Sequence, residues 1–396
     1  MFGTLIDYWD LTRDESYNAI TVQAMAHQGG DYGDFMPENQ TLQMGNDDQG
    51  FWAMSAMSAA ERAFPDPPED KPGWLALAQA CFNEWVNRWE DEHCGGGMRW
   101  QIFPFNEGFD YKNTISNGCF FNIAARLARY TGNETYANWA EKIYDWQVST
   151  GMIPTEGDTE GDVYDGRHAL EGGGCGNIDK IQWSYNAGIY LHGLANLYNF
   201  TEDDVWRSRS ESIWGNVQTT FFKNEILYEQ FCEENDICNQ DQRTFKGYLL
   251  RWMAAVTQLI PEMYDEMMPL IEKAAVAAIT TCTGPAGEDF KGHDGTGCGY
   301  TWLTGGTYDG RVGVATQMNA LDAVMYTLMA EVKAPVTADD GGTSKGNPDG
   351  GVSDDSRLPQ ARPITTADRA GAGIVTALMI LGMVGFSGYL IVDGKF

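Results

Sequence analysis

Two adjacent carboxylates, Asp47 and Asp48, stand in the run Gly45-Asn-Asp-Asp-Gln-Gly-Phe-Trp52. Gly45 and Asn46 read as the end of a loop, and the stretch from about Gln49 to Arg62, rich in Ala and Met, reads as a helix. The pair therefore falls where loop becomes helix, a place that suits carboxylates because unpaired N–H groups point at them. One carboxylate is enough to cap a helix; the second must be solvated or used. A retaining glycosidase uses such a pair, one group attacking the anomeric carbon and the other protonating the leaving oxygen from about 5–5.5 Å away. Neighbours at a helix start reach that separation when their side chains diverge. Other acidic groups serve less well: Asp203-Asp204 starts an outer helix, Asp354-Asp355 lies in a polar linker, and the loop Glu156–Asp165 lacks calcium-loop spacing and reads as solvated.

The elements that position this pair read as helix after helix. Residues 1–12 and 14–28 form a first hairpin, 49–64 and 73–90 a second, 114–131 and 134–149 a third. Residues 184–199 and 203–221, then 241–260 and 262–281, follow, with 314–331 last. Phe120, Ile123, Leu127 and Tyr130 fall on one helical stripe, as do Met318, Leu321, Met325 and Leu328. About eleven helices result, with no strand alternation. Short turns join the members of a pair, and long Gly-rich stretches (91–113, 151–181 and 282–313) join one pair to the next, so the long loops gather at one end of a ring. The expectation is an all-α toroid of helical hairpins, open by one helix at its start, with the stripe of residues 2–10 partly exposed.

Aromatic and amide residues fall at those joints: Asp110, Tyr111, Lys112, Asn113 and Asn117; Gln182, Trp183, Tyr185 and Asn186; Lys246 and Arg251; Trp302 and Gln317. With Trp52 they make the expected lining of a ligand cleft. Flat rings beside hydrogen-bonding groups suit a sugar, which has an apolar face and a polar rim. The net charge of −30, from 56 acidic and 26 basic residues, sets aside nucleic acid and anionic lipid headgroups as ligands. The five histidines are scattered and no C-x-x-C pair occurs, so neither a metal site nor a cofactor is expected.

Eight cysteines fit disulfides in an exported chain, and Cys232–Cys238 and Cys282–Cys298 are the favoured pairs because each closes a short loop. Asn39, Asn133 and Asn199 are glycosylation acceptors. Residues 333–369, poor in apolar groups, read as a flexible linker. Residues 370–392 form one uncharged apolar run long enough to cross a bilayer. A lipid-anchor signal is the alternative, and the polar ending Asp393-Gly-Lys-Phe396 argues against it. Residues 1–332 read as one catalytic domain, acting as a monomer. Met1 leads straight into helix-like sequence with no signal segment, so the expected start of an exported chain is missing.

At these residues the chain resembles a known family. The runs Gly45–Trp52, Tyr111–Asn117, Gln182–Gly188, Phe245–Gly247 and Val314–Leu321, in this order, are similar to those of fungal glycoside hydrolase family 76, the Dfg5/Dcw1-type mannan endo-1,6-alpha-mannosidases of the cell wall. The resemblance covers residues 1–332. It implies an (α/α)6 barrel, with Asp47 as nucleophile and Asp48 as acid/base. It also implies mannan or GPI-core mannosides and wall glucan as partners, at the outer face of the plasma membrane. A signal peptide, a further helix and a Tyr/Trp-rich stretch would precede the position of Met1. Two such close carboxylates cannot both ionise cheaply, so Asp47 is expected ionised and Asp48 protonated at rest.

Overall fold

A computed structural model of the chain describes residues 1–169, 175–288, 290–351 and 365–392. Six helices form an inner ring: α1 (Phe2–Thr12), α3 (Asn46–Glu61), α5 (Thr114–Thr131), α7 (Ser184–Thr201), α9 (Phe245–Leu259) and α11 (Val314–Met325). Each packs on the next, and α11 reaches back to α1 to close the ring. Five more, α2 (Asn18–Gln28), α4 (Trp74–Arg88), α6 (Glu134–Ser149), α8 (Asp204–Thr220) and α10 (Tyr264–Thr280), pack outside as second members of the hairpins. This is the expected toroid. Phe2, Leu5, Tyr8 and Trp9 of α1 stay half-buried, the partial exposure foreseen for that stripe.

Local sequence explains the helix limits. Asn113 caps α5 by accepting from Ser116 N–H, and Gly132, in the left-handed region at φ 69°, ends it. Asn133 caps α6 and Asp203 caps α8 in the same way. Every residue of α5 from Thr114 to Tyr130 is buried, as an inner helix requires. The outer α8 buries only the stripe Trp206, Ser210, Ile213, Trp214 and Val217. Each large apolar side chain so buried contributes about 1.5–3 kcal/mol relative to exposure.

Four features depart from the sequence reading. First, short strands occur: β1 (Tyr111–Asn113), β2 (Tyr164–His168) and β3 (Ile178–Gln182) form an antiparallel sheet in that order, with Tyr111 opposite His168 and Tyr164 opposite Gln182. Two small hairpins join them, β4 (Phe222–Lys223) with β5 (Ile226–Leu227), and β6 (Cys282–Gly284) with β7 (Gly297–Cys298). Runs of two to five residues are too brief to show alternation. Second, α9 begins at Phe245 rather than 241, and a 3-10 turn over Gln242–Thr244 leads into it. Third, α11 tightens after Met325 into a 3-10 turn over Tyr326–Glu331. Fourth, residues 333–351 are not a free linker. Val336 N–H bonds Glu61 O, Ala338 N–H bonds Tyr130 O, Ser344 Oγ accepts from Leu75 N–H, and Asn347 N–H bonds Gln79 Oε1. Backbone hydrogen bonding substitutes there for apolar burial. The remainder of the expected linker, with Asp354 and Asp355, lies outside the described residues.

Residues 353–396 form a separate unit. Its helix α12 (Thr366–Val392) contains a stretch, Thr366–Tyr389, long and apolar enough to cross a membrane.

Both expected disulfides, Cys232–Cys238 and Cys282–Cys298, are present. A third, Cys94–Cys175, ties two long loops across a separation of 81 residues and was not anticipated. Cys81 and Cys119 are buried thiols. Asn39, Asn133 and Asn199 are all exposed, although Asn133 also caps α6 and Asn199 Oδ1 accepts from Arg129.

Between α3 and α5 lies a buried ion pair. Arg126 donates to both Glu61 oxygens, to Ser58 Oγ and to Met54 O, so four of its five N–H groups have protein partners. Arg126→Ala strands the Glu61 charge in the core and should cost about 3–5 kcal/mol of stability. Urea unfolding monitored by circular dichroism checks this; a loss under 1 kcal/mol would show that the pair does not hold the two helices together.

Candidate active site

The start of α3 is held by the segment 99–101. Asn46 N–H donates to Trp100 O at 2.8 Å, Asn46 Nδ2 donates to Arg99 O at 2.9 Å, and Gly45 bridges to Gln101. From below, Arg88 donates to Asn46 Oδ1 and to Gln49 Oε1, and Gln49 donates to Glu84. The two carboxylates follow directly. Asp48 Oδ2 accepts Gly45 N–H at 2.7 Å, so Asp48 does cap the helix. Asp47 Oδ2 accepts Trp100 Nε1–H at 2.9 Å and its Oδ1 accepts Asp48 N–H at 3.0 Å.

Gly45 shows how the pair is arranged. A Cβ on that residue would lie 2.4 Å from Asp47 Oδ1 and 3.4 Å from Asp48 Oδ2. Both carboxylates thus fold back over the glycine, and these two oxygens are no more than about 6 Å apart by the triangle those distances make. That is compatible with the roughly 5–5.5 Å of a retaining glycosidase.

Both open onto a cleft of about 640 Å³, together with Trp52, Trp100, Tyr111, Asp165, Trp183, Tyr185, Asp241 and Phe245. Four lining carboxyls, Asp47, Asp48, Asp165 and Asp241, meet no lysine or arginine among the described lining residues. Such a cleft suits an uncharged or cationic ligand and repels a phosphorylated one. Burial is the largest effect on Asp47 and, with the Asp48 charge, pushes it up to about 7; the N–H donors from Trp100 and Asp48 pull the other way. Asp48 is also raised, chiefly by burial, despite the Gly45 N–H. Protein surrounds both on most sides, yet solvent reaches them through the cleft mouth, Asp48 more than Asp47. Burial and mutual repulsion thus both favour a proton held on the pair. Asp47 is the more enclosed of the two.

Of the sequence-predicted lining, Trp52, Tyr111, Asn113, Trp183 and Tyr185 reach the cleft. Asp110 lies beside it, bonded to His168 Nδ1 at 2.9 Å, and Gln182 accepts Val163 N–H. The others work from behind. Lys112 is fully buried and donates to the carbonyls of Glu90, His93 and Gly96. Asn117 is buried on Met98 N–H and O. Together they shape the loop that delivers Trp100 to Asp47. Lys246 is fully buried against Glu233 and the Tyr300 carbonyl, over the rings of Tyr300 and the buried Trp302. Asn186 is buried and donates to Asp165 Oδ1 at 3.2 Å. Gln317 accepts Cys298 N–H, pinning the loop closed by Cys282–Cys298. Arg251 pairs with Asp7 at 2.7 Å in a separate inner chamber of about 310 Å³. Phe51, Trp52 and Tyr248 line both spaces and so divide them. These side chains were assigned to ligand because the sequence shows their type but not their facing.

Sequence reasoning missed Asp165, Trp100 and Asp241. Asp165 accepts Tyr111 Oη–H at 2.9 Å, and burial pushes it up to about 6. Its only signal was a place at the end of an acidic loop. Trp100 had none beyond an aromatic ring in a Gly-rich stretch.

A toroid of helical hairpins, with adjacent carboxyls at a helix start and rings lining an acidic cleft beside them, has the build of a glycoside hydrolase. The chain belongs to glycosyl hydrolase family 76, whose profile matches residues 1–339. It is 44% identical over 392 residues to the mannan endo-1,6-alpha-mannosidase DCW1 of Saccharomyces cerevisiae, covering 98% of this chain and 84% of that protein. It is 42% identical to DFG5 of the same yeast, covering 97% and 82%. The crystal structure of Dfg5 from Chaetomium thermophilum, in complex with glucosamine, superposes with a TM-score of 0.82 at 44% identity over 89% of this chain and 84% of that one. The α-1,6-mannanase GH76A of Salegentibacter sp. HEL1_6, in an inactive variant with two consecutive aspartates replaced, shares the fold at TM-score 0.64 and 18% identity, covering 83% and 87%.

Gly45→Ala leaves the backbone at ease, since φ is −88°, but drives a methyl group into Asp47. The expected outcome is an unchanged circular dichroism spectrum with kcat/KM lowered roughly a hundredfold. Unaltered kcat/KM would show that the carboxylates do not need to fold over Gly45.

Proposed function

We propose that this chain is a retaining mannan endo-1,6-alpha-mannosidase acting through a glycosyl-enzyme intermediate, with Asp47 as nucleophile and Asp48 as acid/base. The observation that carries this is the closeness of the two carboxylates over Gly45 at the wall of an aromatic cleft. The names of the DCW1 and DFG5 relatives support the α-1,6-mannosyl linkage as substrate. In the Salegentibacter mannanase, the variant lacking two consecutive aspartates is inactive and holds α-1,6-mannotriose.

In the first step Asp47 Oδ attacks the anomeric carbon while Asp48 gives its proton to the departing oxygen. In the second, the Asp48 carboxylate takes a proton from the incoming hydroxyl, which displaces Asp47 and restores both groups. Trp100 Nε1–H and Asp48 N–H steady the Asp47 carboxylate before attack and after release. With no lysine or arginine among its described lining residues, the cleft favours an uncharged glycan. The apolar stretch Thr366–Tyr389 supports attachment to a membrane, and anchorage at the outer face of the plasma membrane supports transfer of GPI-core mannosides to wall glucan over release to water.

The roles separate by leaving group. Asp48→Asn should slow cleavage of an unactivated mannoside by roughly 10²–10⁴-fold and cost far less with a dinitrophenyl mannoside, whose leaving group needs no proton. Asp47→Asn should abolish turnover of both. Equal losses on the two substrates in Asp48→Asn would refute the acid role.

The pH dependence follows from the raised pair. Attack needs one carboxylate and one carboxylic acid, so kcat/KM should be bell-shaped. With Asp47 at about 7, the alkaline limb, where the last shared proton leaves, should fall near neutrality. A profile flat from pH 5 to pH 9 would show that the pair does not keep its proton.

A further inference from the structure

A buried ionic group beside the cleft has no part in this reaction. Glu229 takes hydrogen bonds from Ser184, through its N–H at 3.1 Å and its hydroxyl at 2.5 Å. Glu229 N–H donates to Glu233 Oε2 at 2.8 Å, and Lys246 Nζ lies 3.1 Å from that same oxygen. Charges buried this completely are costly to desolvate and are kept where they fix a geometry. What they fix is a short loop. The Cys232–Cys238 disulfide closes it, Cys232 N–H donates to Glu229 O, and Ile237 N–H donates to Cys232 O. On this clamped segment Phe231 is 40% exposed, whereas its neighbour Cys232 is 1% exposed. A large ring already held in place loses little conformational freedom when it binds a ligand.

Phe231 also packs on a ring of the cleft wall. Its ring centre is 5.2 Å from that of Trp183, Trp183 is 5.5 Å from Phe245, and Phe245 stacks on Tyr185 at 3.7 Å. Trp183, Phe245 and Tyr185 line the same cleft as the carboxylates. One run of rings therefore joins the cleft wall to Phe231, which stands exposed beyond the cleft lining. We infer that Phe231 is the stacking platform of an outer sugar subsite, holding a distal, uncharged pyranose of the oligosaccharide whose reacting linkage lies at Asp47 and Asp48. The apolar C–H face of a pyranose is what an exposed aromatic ring recognises. The inference rests on the mannoside reading above and extends it from a linkage to a chain length.

The test is a ladder of α-1,6-mannooligosaccharides, two to six units long, bound to the full chain in an Asp47→Asn background and measured by calorimetry. With Phe231 intact, affinity should rise with length and step up where the chain reaches the ring. Adding Phe231→Ala should remove that step, a loss of roughly 5–20-fold for the longest sugar, and leave the disaccharide unchanged. Phe231→Trp should retain the step, which a merely structural role would not predict. Identical length dependence with and without Phe231 overturns the inference alone. Equal weakening at every length in Phe231→Ala overturns it too, since the ring would then support the whole wall. Absence of binding at every length in the Asp47→Asn background overturns the mannoside reading, and this inference with it.

Discussion

The site depends on one seam of hydrogen bonds, where the start of α3 is stitched to residues 99–101. A helix N-terminus has N–H groups without helical partners, and here two of them are satisfied by the Asp47–Asp48 pair: Asp48 accepts from Gly45, and Asp47 accepts from Asp48. The seam adds Asn46 on Trp100 O and the Trp100 indole on Asp47. Two carboxylates confined so closely repel each other, and the seam holds them in place where no lysine or arginine stands among the described cleft-lining residues. The protein accepts the electrostatic cost that the reaction requires and offsets it with N–H donors rather than charge.

Cations are plentiful nearby but have been drawn elsewhere. Arg126 is bound to Glu61, Arg251 to Asp7, Lys246 to Glu233, and Lys112 to backbone carbonyls. Each sits on an inner helix or a strand leading into one, so the barrel spends its basic residues on holding helices and loops together. The aromatic floor of Phe51, Trp52 and Tyr248 then divides the acidic cleft from the inner chamber where Arg62, Arg126 and Arg251 gather. The segregation explains how a chain with 26 basic residues presents a cleft with none among its described lining residues.

Much of the fold was legible because inner and outer helices carry different patterns. α5 and α6 fall on their expected limits, 114–131 and 134–149, because Asn113, Gly132 and Asn133 are local signals that no distant contact overrides. The Asp pair was legible for the same reason, as a feature of one helix start. The lining was only half legible. Lys112 and Tyr111 are neighbours on β1, so alternation sends one inward and the other to the cleft, and a three-residue strand gives no periodicity from which to choose. Asp165 was hidden more deeply: its meaning comes from Tyr111 Oη and Asn186 Nδ2, which approach from 54 and 21 residues away. The segment 333–351 misled because composition predicts what a stretch can bury by itself, not the backbone bonds that α3, α4 and α5 offer it.

Geometry also bears on what resolves the glycosyl-enzyme. Asp48 is exposed on the cleft side, and the same opening admits whatever hydroxyl it activates. On the proposed mechanism water therefore reaches the base as soon as the first product leaves, because among the described residues the cleft stays open to solvent at Asp48. A site of this shape cannot favour transfer by excluding water. It favours transfer only by keeping a sugar hydroxyl close to Asp48 for longer than water takes to react, which is a matter of binding energy placed away from the reacting atoms. The rings that lead outward from Tyr185 supply such energy at a distance. The Glu229–Glu233–Lys246 clamp takes no part in the bond changes themselves, but it holds the segment that carries Phe231 in a fixed place beside those rings.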